Sequence, residues 1–202
     1  MDFTIDSAFL NALADPAPTP AGGSAAAYAG AMAAALVAMV AQTTLGKKKY
    51  ADVQARMQEI ITEAKAYRIE LELCVSRDAE AFERLLTAYR AAKESPNLAA
   101  IEKTTLLVTV VPLGTAITAL RVLELAVELA NTANINAIGD AYAAASLAQS
   151  CIFVSTLNVK FNAKSISDIA RECLSKAPEI EARAQELMTQ VQKIIRERGE
   201  IG

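Results

Sequence analysis

Between Tyr50 and about Lys93 the chain carries one apolar seam on a charged background, and this stretch restricts the possible folds more than any other. Val53, Met57, Ile60, Ala64, Tyr67, Leu71, Cys74, Asp78, Ala81, Leu85 and Ala88 succeed one another in alternating steps of four and three. Such steps return to one face of a 3.6-residue turn, whereas a strand would need a period of two. The seam predicts a long helix, broken only at Ser95-Pro96, that buries a narrow stripe against other helices. One member of that stripe, Asp78, is a carboxylate.

Composition points the same way. The 202 residues include 42 alanines, are 53% hydrophobic and only 5% aromatic, and contain no Trp. Disorder is excluded by the apolar content, and an all-β fold by the shortage of β-branched and aromatic residues beside so much Ala, Leu, Glu and Gln. The length suits a single domain over 1–202.

Further helices are expected on either side of the seam. A short one covers about Ile5 to Ala14, and after the turn Asp15-Pro-Ala-Pro-Thr-Pro-Ala-Gly-Gly a second runs from about Ser24 to Leu45, with Gly46 as its stop. Another spans about Leu98 to Ala130 and should be kinked by Pro112. A loop at Asn131 to Asn136 precedes a nearly uncharged helix from about Ala137 to Asn162. The last helix, about Ser167 to Arg198, repeats the four-three spacing at Ile180, Ala184, Leu187, Val191 and Ile194. The expected architecture is all-α, an antiparallel up-and-down bundle of long helices with the uncharged ones at its centre. Exposed seams on the long helices would favour self-association.

Several function classes fall away. There is no histidine, so His-containing triads, His metal sites and histidine acid-base pairs are excluded and protons must move through Asp, Glu, Lys, Tyr, Cys or water. Cys74, Cys151 and Cys173 are far apart and read as buried free thiols, not as a metal site or a disulfide framework. A net charge of -3 and a pI near 5.2 leave no basic stripe for nucleic acid. Pro16 to Gly46 and Ala141 to Val159 carry no charge, but the first run is mostly Ala, Gly, Ser and Thr, and both alternate with charge-dense helices, so no membrane partner is expected. MDFTIDSAFL lacks the basic start and apolar core of a signal peptide, and a cytoplasmic protein is expected.

Five groups of residues could carry chemistry. Gly22, Gly23 and Ser24 open a helix, where free amides can receive an anion or a polar ligand edge, or where the serine merely caps. Lys47, Lys48 and Lys49 follow Gly46 and either complement a helix C-terminus or hold a polyanion. Asp78 must be paired, capped or used. Asp140, the only charge between Glu128 and Lys160, falls in the first turn of its helix, where a carboxylate is favoured in any case. Asn158 and Asn162, four apart on one face, could read the edge of a heterocycle or bind a neighbouring backbone.

Together these segments resemble the cyclodeaminase/cyclohydrolase family, which includes the C-terminal domain of formiminotransferase-cyclodeaminase and stand-alone methenyltetrahydrofolate cyclohydrolases. The residues that carry the resemblance are Pro18 to Ala27, Leu45-Gly-Lys-Lys-Lys-Tyr50, Asp78-Ala-Glu-Ala-Phe82 with Ala88-Tyr89, Val111-Pro-Leu113, Asn136-Ala-Ile-Gly-Asp-Ala141, and Leu157-Asn-Val159 with Asn162. Ala21 and Gly139 depart from the usual Pro-Gly-Gly-Gly-Ser and Ser-Asp-Ala.

The resemblance implies a dimeric folate enzyme with no cofactor beyond its folate substrate and no metal. Asp78 and Asp140 become the candidate catalytic carboxylates. Gly22, Gly23, Ser24, Lys47, Lys48, Lys49, Asn136, Asn158 and Asn162 become the candidate substrate contacts.

The implied reaction suits these residues. In 5,10-methenyltetrahydrofolate one carbon is shared by two nitrogens in a delocalised cation, and a carboxylate can stabilise that cation and accept the proton of an attacking water. Hydrolysis to 10-formyltetrahydrofolate is the leading expectation. The alternatives are formiminotetrahydrofolate cyclodeaminase, which releases ammonia, and a non-catalytic helical assembly protein of the same fold.

Overall fold

The computed structural model describes residues 7–163 and 168–199. Six α-helices follow in order: α1 Ser7–Ala14, α2 Gly22–Thr44, α3 Gln54–Glu94, α4 Leu98–Thr132, α5 Ile138–Asn162 and α6 Asp168–Arg198. Single 3-10 segments, Lys48–Val53 and Ile135–Ala137, lead into α3 and α5. There is no strand among the described residues. Ile5, Asp6 and Ser167, expected to open the first and last helices, lie outside them.

The ends of these helices have local causes. Gly46 takes φ 73°, a left-handed conformation that stops α2 and turns the chain into the lysine run. The Asn97 side chain accepts from the Ala100 amide at 3.0 Å and caps α4 just after Ser95-Pro96 has ended α3. The long seam buries as its spacing requires. Met57, Ile60, Ala64, Leu71, Cys74 and Ala81 are buried, and Val53 and Tyr67 pack partly against the core. Beyond Ala81 the pattern loses its burial, and no residue from Phe82 to Leu107 is buried. This end of α3 and the start of α4 form a hairpin that stands clear of the bundle.

The core is built largely from alanine. Ala33, Ala34, Ala116, Ala119, Ala126, Ala141, Ala144, Ala145 and Ala148 have no exposure, and small side chains let helix axes approach closely. The uncharged helices α2 and α5 do pack on each other, but they do not form the centre alone. Helix α4, which carries Arg121, Glu124 and Glu128, packs on α2, α3, α5 and α6. Its charges sit on one side, where Arg56 grips Glu128 with two parallel hydrogen bonds of 2.7 and 2.8 Å and also reaches Glu59 and Glu63. At the far end of α4, Arg198 of α6 donates to the Ala130 and Ala133 carbonyls.

All three cysteines are buried and free, as expected. Burial pushes the Cys151 thiol up to about 12, so it is an inert filler between α2 and α5. By length and composition α2, α4 and Ile135–Asn162 could each cross a membrane; 61% of the most apolar window of α2 is instead buried inside the protein.

A core of this kind tolerates little added volume. Replacing Ala145, which has no exposure, by Leu is expected to cost about 1–3 kcal/mol in urea unfolding, and an unchanged midpoint would show that the α5 contacts are slack.

Candidate functional site

The start of α2, the middle of α3, the Pro112 region of α4 and the last turns of α5 enclose a pocket of about 170 Å³. Asp78 projects into it from α3, at the seam position where sequence spacing placed a carboxylate among apolar residues. Arg and Lys are absent from its lining, so Asp78 is its sole charged wall residue among those described.

The Asp78 carboxylate is held by the first turn of α2. Ala21, the residue preceding that helix, supplies no side-chain cap, and the vacancy is filled from α3. The Ser24 hydroxyl, with no exposure, lies 3.0 Å from Asp78 Oδ2 and 3.1 Å from the Val75 carbonyl oxygen, in position to donate to either. The carboxylate presses so closely on Gly23 that a Cβ there would fall 2.6 Å from its Cγ, which explains why this position carries no side chain. Burial raises the Asp78 carboxyl above the ordinary carboxylate range, while hydrogen bonds from the Ser24 hydroxyl and amide pull the other way.

The opposite wall comes from a proline. Pro112 has no amide hydrogen, so the Val108 carbonyl one turn earlier has no helical donor. Asn162 fills that place from α5, donating from Nδ2 to the Val108 oxygen at 2.7 Å. Its other terminal atom, Oδ1, is an acceptor, and Asn158 lies one turn away on the same face; both line the pocket. Phe82, Val111 and Pro112 supply apolar surface. The turn over the mouth is tied to α3 where the Thr19 hydroxyl donates to Glu83 Oε1 at 2.8 Å.

The other sequence candidates gather at the opposite end of α2. Lys47, Lys48 and Lys49 are exposed beyond its C-terminus, Asn136 is exposed in the 3-10 segment, and Asp140 is exposed in the first turn of α5. Buried links join these loops. Asn134 donates its amide to Thr44 Oγ1 at 3.0 Å, and Ile135 donates to the Tyr50 hydroxyl at 3.0 Å. Along α5, Asp140 is about 27 Å from Asn158 at the helical rise per residue. Within one chain the structure therefore groups Gly22, Gly23, Asp78, Asn158 and Asn162, and leaves the lysines, Asn136 and Asp140 elsewhere. Ser24 belongs to the first group but reaches Asp78 and does not line the pocket.

Sequence reasoning gave Phe82 and Thr19 no role in the site, and read Pro112 as a missing donor and a kink without the acceptor it leaves at Val108. Phe82 lies four residues after Asp78 and hence on its face, and a mid-helix proline always leaves a carbonyl to be satisfied, so two of the three had a readable signal. Nothing local announced the tie from Thr19 to Glu83.

Comparison with known proteins gives a consistent result. The family described as formiminotransferase-cyclodeaminase matches residues 6–181. A methenyltetrahydrofolate cyclohydrolase of Methylorubrum extorquens is 38% identical over 80% of this chain and 80% of its own. Formimidoyltransferase-cyclodeaminase of Rattus norvegicus is 30% identical over 80% of this chain, but the match spans only 31% of that longer protein. The crystal structure of formiminotetrahydrofolate cyclodeaminase from Thermotoga maritima superposes with a TM-score of 0.88, covers 96% of both chains and is 29% identical.

The burial of Asp78 has a measurable sign. A carboxyl group whose folded-state value is raised contributes its full stability below the unfolded value of about 4 and loses it as pH rises through the folded value. At neutral pH the ionised group is a net cost, so Asp78→Asn is expected to raise the melting temperature at pH 7, with the difference shrinking as pH falls. A lowered melting temperature at pH 7 would show that the charge on the α2 N-terminus outweighs desolvation.

Proposed function

Since the chain belongs to the formiminotransferase-cyclodeaminase family, we propose that it hydrolyses 5,10-methenyltetrahydrofolate to 10-formyltetrahydrofolate, the methenyltetrahydrofolate cyclohydrolase reaction. The observation that carries this reading is the lone carboxylate of Asp78 in a pocket without a competing cation. A cationic one-carbon bridge is complementary to such a wall, and partial burial strengthens the attraction.

One carboxylate suffices for the proton bookkeeping. Asp78 takes a proton from the attacking water as its oxygen bonds to the bridging carbon, leaving a neutral hydroxylated adduct. The resulting carboxylic acid returns that proton to the departing ring nitrogen as the carbon–nitrogen bond breaks, and the adduct's hydroxyl proton leaves to solvent as the formyl carbonyl forms. Asn158 and Asn162 offer donors and acceptors to the heterocycle edge, and Gly22 and Gly23 give it room beside the helix start. The protein's part of this scheme uses side chains and water.

The remaining candidates fit a homodimer. The pocket is smaller than the roughly 300 Å³ at which ligand sites usually begin, so one chain encloses only part of a folate. Helices α2 and α5 of an antiparallel up-and-down bundle expose Tyr28, Met32, Phe153, Leu157 and Phe161. A two-fold pairing of these helices in opposite directions would bring the far end of a second copy, with its Lys47, Lys48, Lys49, Asn136 and Asp140, to the Asp78 pocket. The lysines would then hold the glutamate tail and Asp140 would supply a second carboxylate. The reading includes a cytoplasmic location with neither membrane nor nucleic-acid partner.

The likeness to the Thermotoga maritima enzyme supports a second reading, formiminotetrahydrofolate cyclodeaminase. Purified protein given each substrate separates the two: loss of methenyl absorbance is expected, release of ammonia would favour the second reading, and neither would leave a non-catalytic assembly protein. Asp78→Asn is expected to lower turnover at least about a hundredfold with helical content unchanged. Mixing Asp78→Asn chains with Asp140→Asn chains should restore activity if the site is shared between copies, and no recovery would confine the site to one chain. Neutralising Lys48 or Lys49 should raise KM more than it lowers kcat, most with polyglutamylated substrate.

A further inference from the structure

The hydroxyl of Ser24 has one proton and two acceptors. Asp78 Oδ2 lies at 3.0 Å and the Val75 carbonyl oxygen at 3.1 Å, and the serine has no exposure, so water cannot replace either partner. A carbonyl oxygen has two lone pairs, and the helical hydrogen bond of Val75 uses only one. Bound to an ionised carboxylate, the proton is best placed on Oδ2, where the bond is charge-assisted. Bound to a neutral carboxyl group, that advantage disappears, and a small rotation about the Ser24 side chain sends the proton to Val75 instead. The oxygen left behind can then accept from the carboxylic acid.

We infer that Ser24 is a positioning residue, whose hydroxyl turns between Asp78 Oδ2 and the Val75 carbonyl so that the carboxyl group keeps one orientation in both of its protonation states. The inference rests on the role proposed for Asp78, which must gain and release a proton in every turnover. On the side turned away from the pocket, a carboxyl group without such a partner would be satisfied in one state and unsatisfied in the other.

The setting isolates this pair. On α3, Arg77 is bound to Glu70, Glu80 faces Arg84 at 3.9 Å, and Glu83 takes the Thr19 hydroxyl. On α5, Lys160 is held by Glu181 at 2.7 Å. On α4, Lys103, the charged residue nearest in sequence to the pocket-lining Val108, lies in a separate groove with Glu80, Glu83 and Arg84. Helix α2 has no charged residue. None of these groups lines the Asp78 pocket, so Ser24 is the side chain placed to tune it.

The test is Ser24→Ala, read in two ways. Carboxyl carbon NMR of Asp78 should show its titration displaced to higher pH, because a bond that favours the ionised form has gone. The rate–pH profile should shift in the same direction, with kcat lowered about tenfold at neutral pH and KM little changed, since Ser24 does not line the pocket. A Ser24→Ala protein whose Asp78 titrates as in the parent, losing only thermal stability, would overturn the inference. If the alanine variant does not fold, Ser24→Cys keeps the size with a weaker donor and should give the same shift, smaller; an unmoved titration there is equally fatal. Because the NMR reading needs no turnover, it stands even if the protein proves inactive on folate, in which case the functional reading fails and the coupling of Ser24 to Asp78 does not.

Discussion

The contact between the Asp78 carboxylate and the first turn of α2 sets the geometry at the pocket end of this protein. Helix α2 begins after Ala21 without a side-chain cap of its own, and its Ser24 hydroxyl and amide meet a group delivered from the middle of another helix. That arrangement fixes α2 against α3 in both register and rotation. It also requires Gly23 to be bare, because the carboxylate occupies the space of a side chain. Structure and chemistry are joined here: the acid that completes the helix is the one that faces the pocket, and any group bound there competes with α2 for its charge.

Around this contact the bundle is held by small side chains in the interior and by forked ion pairs outside. Alanines let α2, α4 and α5 come close, while Arg56 joins α3 to α4 through Glu128 at the rim. Partly exposed pairs of this kind contribute little each, so apolar packing carries most of the stability and the charges mainly orient the surface. The hairpin from Phe82 to Leu107 shows the converse, since the same four-three spacing without further helices to cover it leaves Leu85 and Ala88 half-buried.

Much of the fold could be read in advance because helical spacing is local. The seam through Met57, Ile60 and Ala64 identified α3, and Gly46 and Ser95-Pro96 marked real boundaries. Asp78 was legible as a carboxylate where burial demanded a partner, but the partner itself was not, since Ser24 is distant in sequence and its local context suggested a cap for its own helix. Likewise Lys47, Lys48 and Lys49 sit close to Gly22 in sequence, yet the long helix between them carries them to the other end. Whether Asp140 and Asp78 meet depends on how chains associate, which no spacing within one chain encodes. The expectation that uncharged helices alone occupy the centre failed at α4, whose few charges are confined to one side and so do not prevent burial of the rest.

The link from Asn162 to the carbonyl freed by Pro112 makes two distant positions inherit each other's changes. With the proline alone, a carbonyl at the pocket wall would lose its donor; with the asparagine alone, the amide would be only a second donor to a carbonyl that the helix already satisfies. Each residue is favourable chiefly in the other's presence, so their effects are expected to be non-additive. Along a lineage the two would be gained and lost as a unit, and a designer who straightens α4 by removing the proline also reshapes the polar wall on α5.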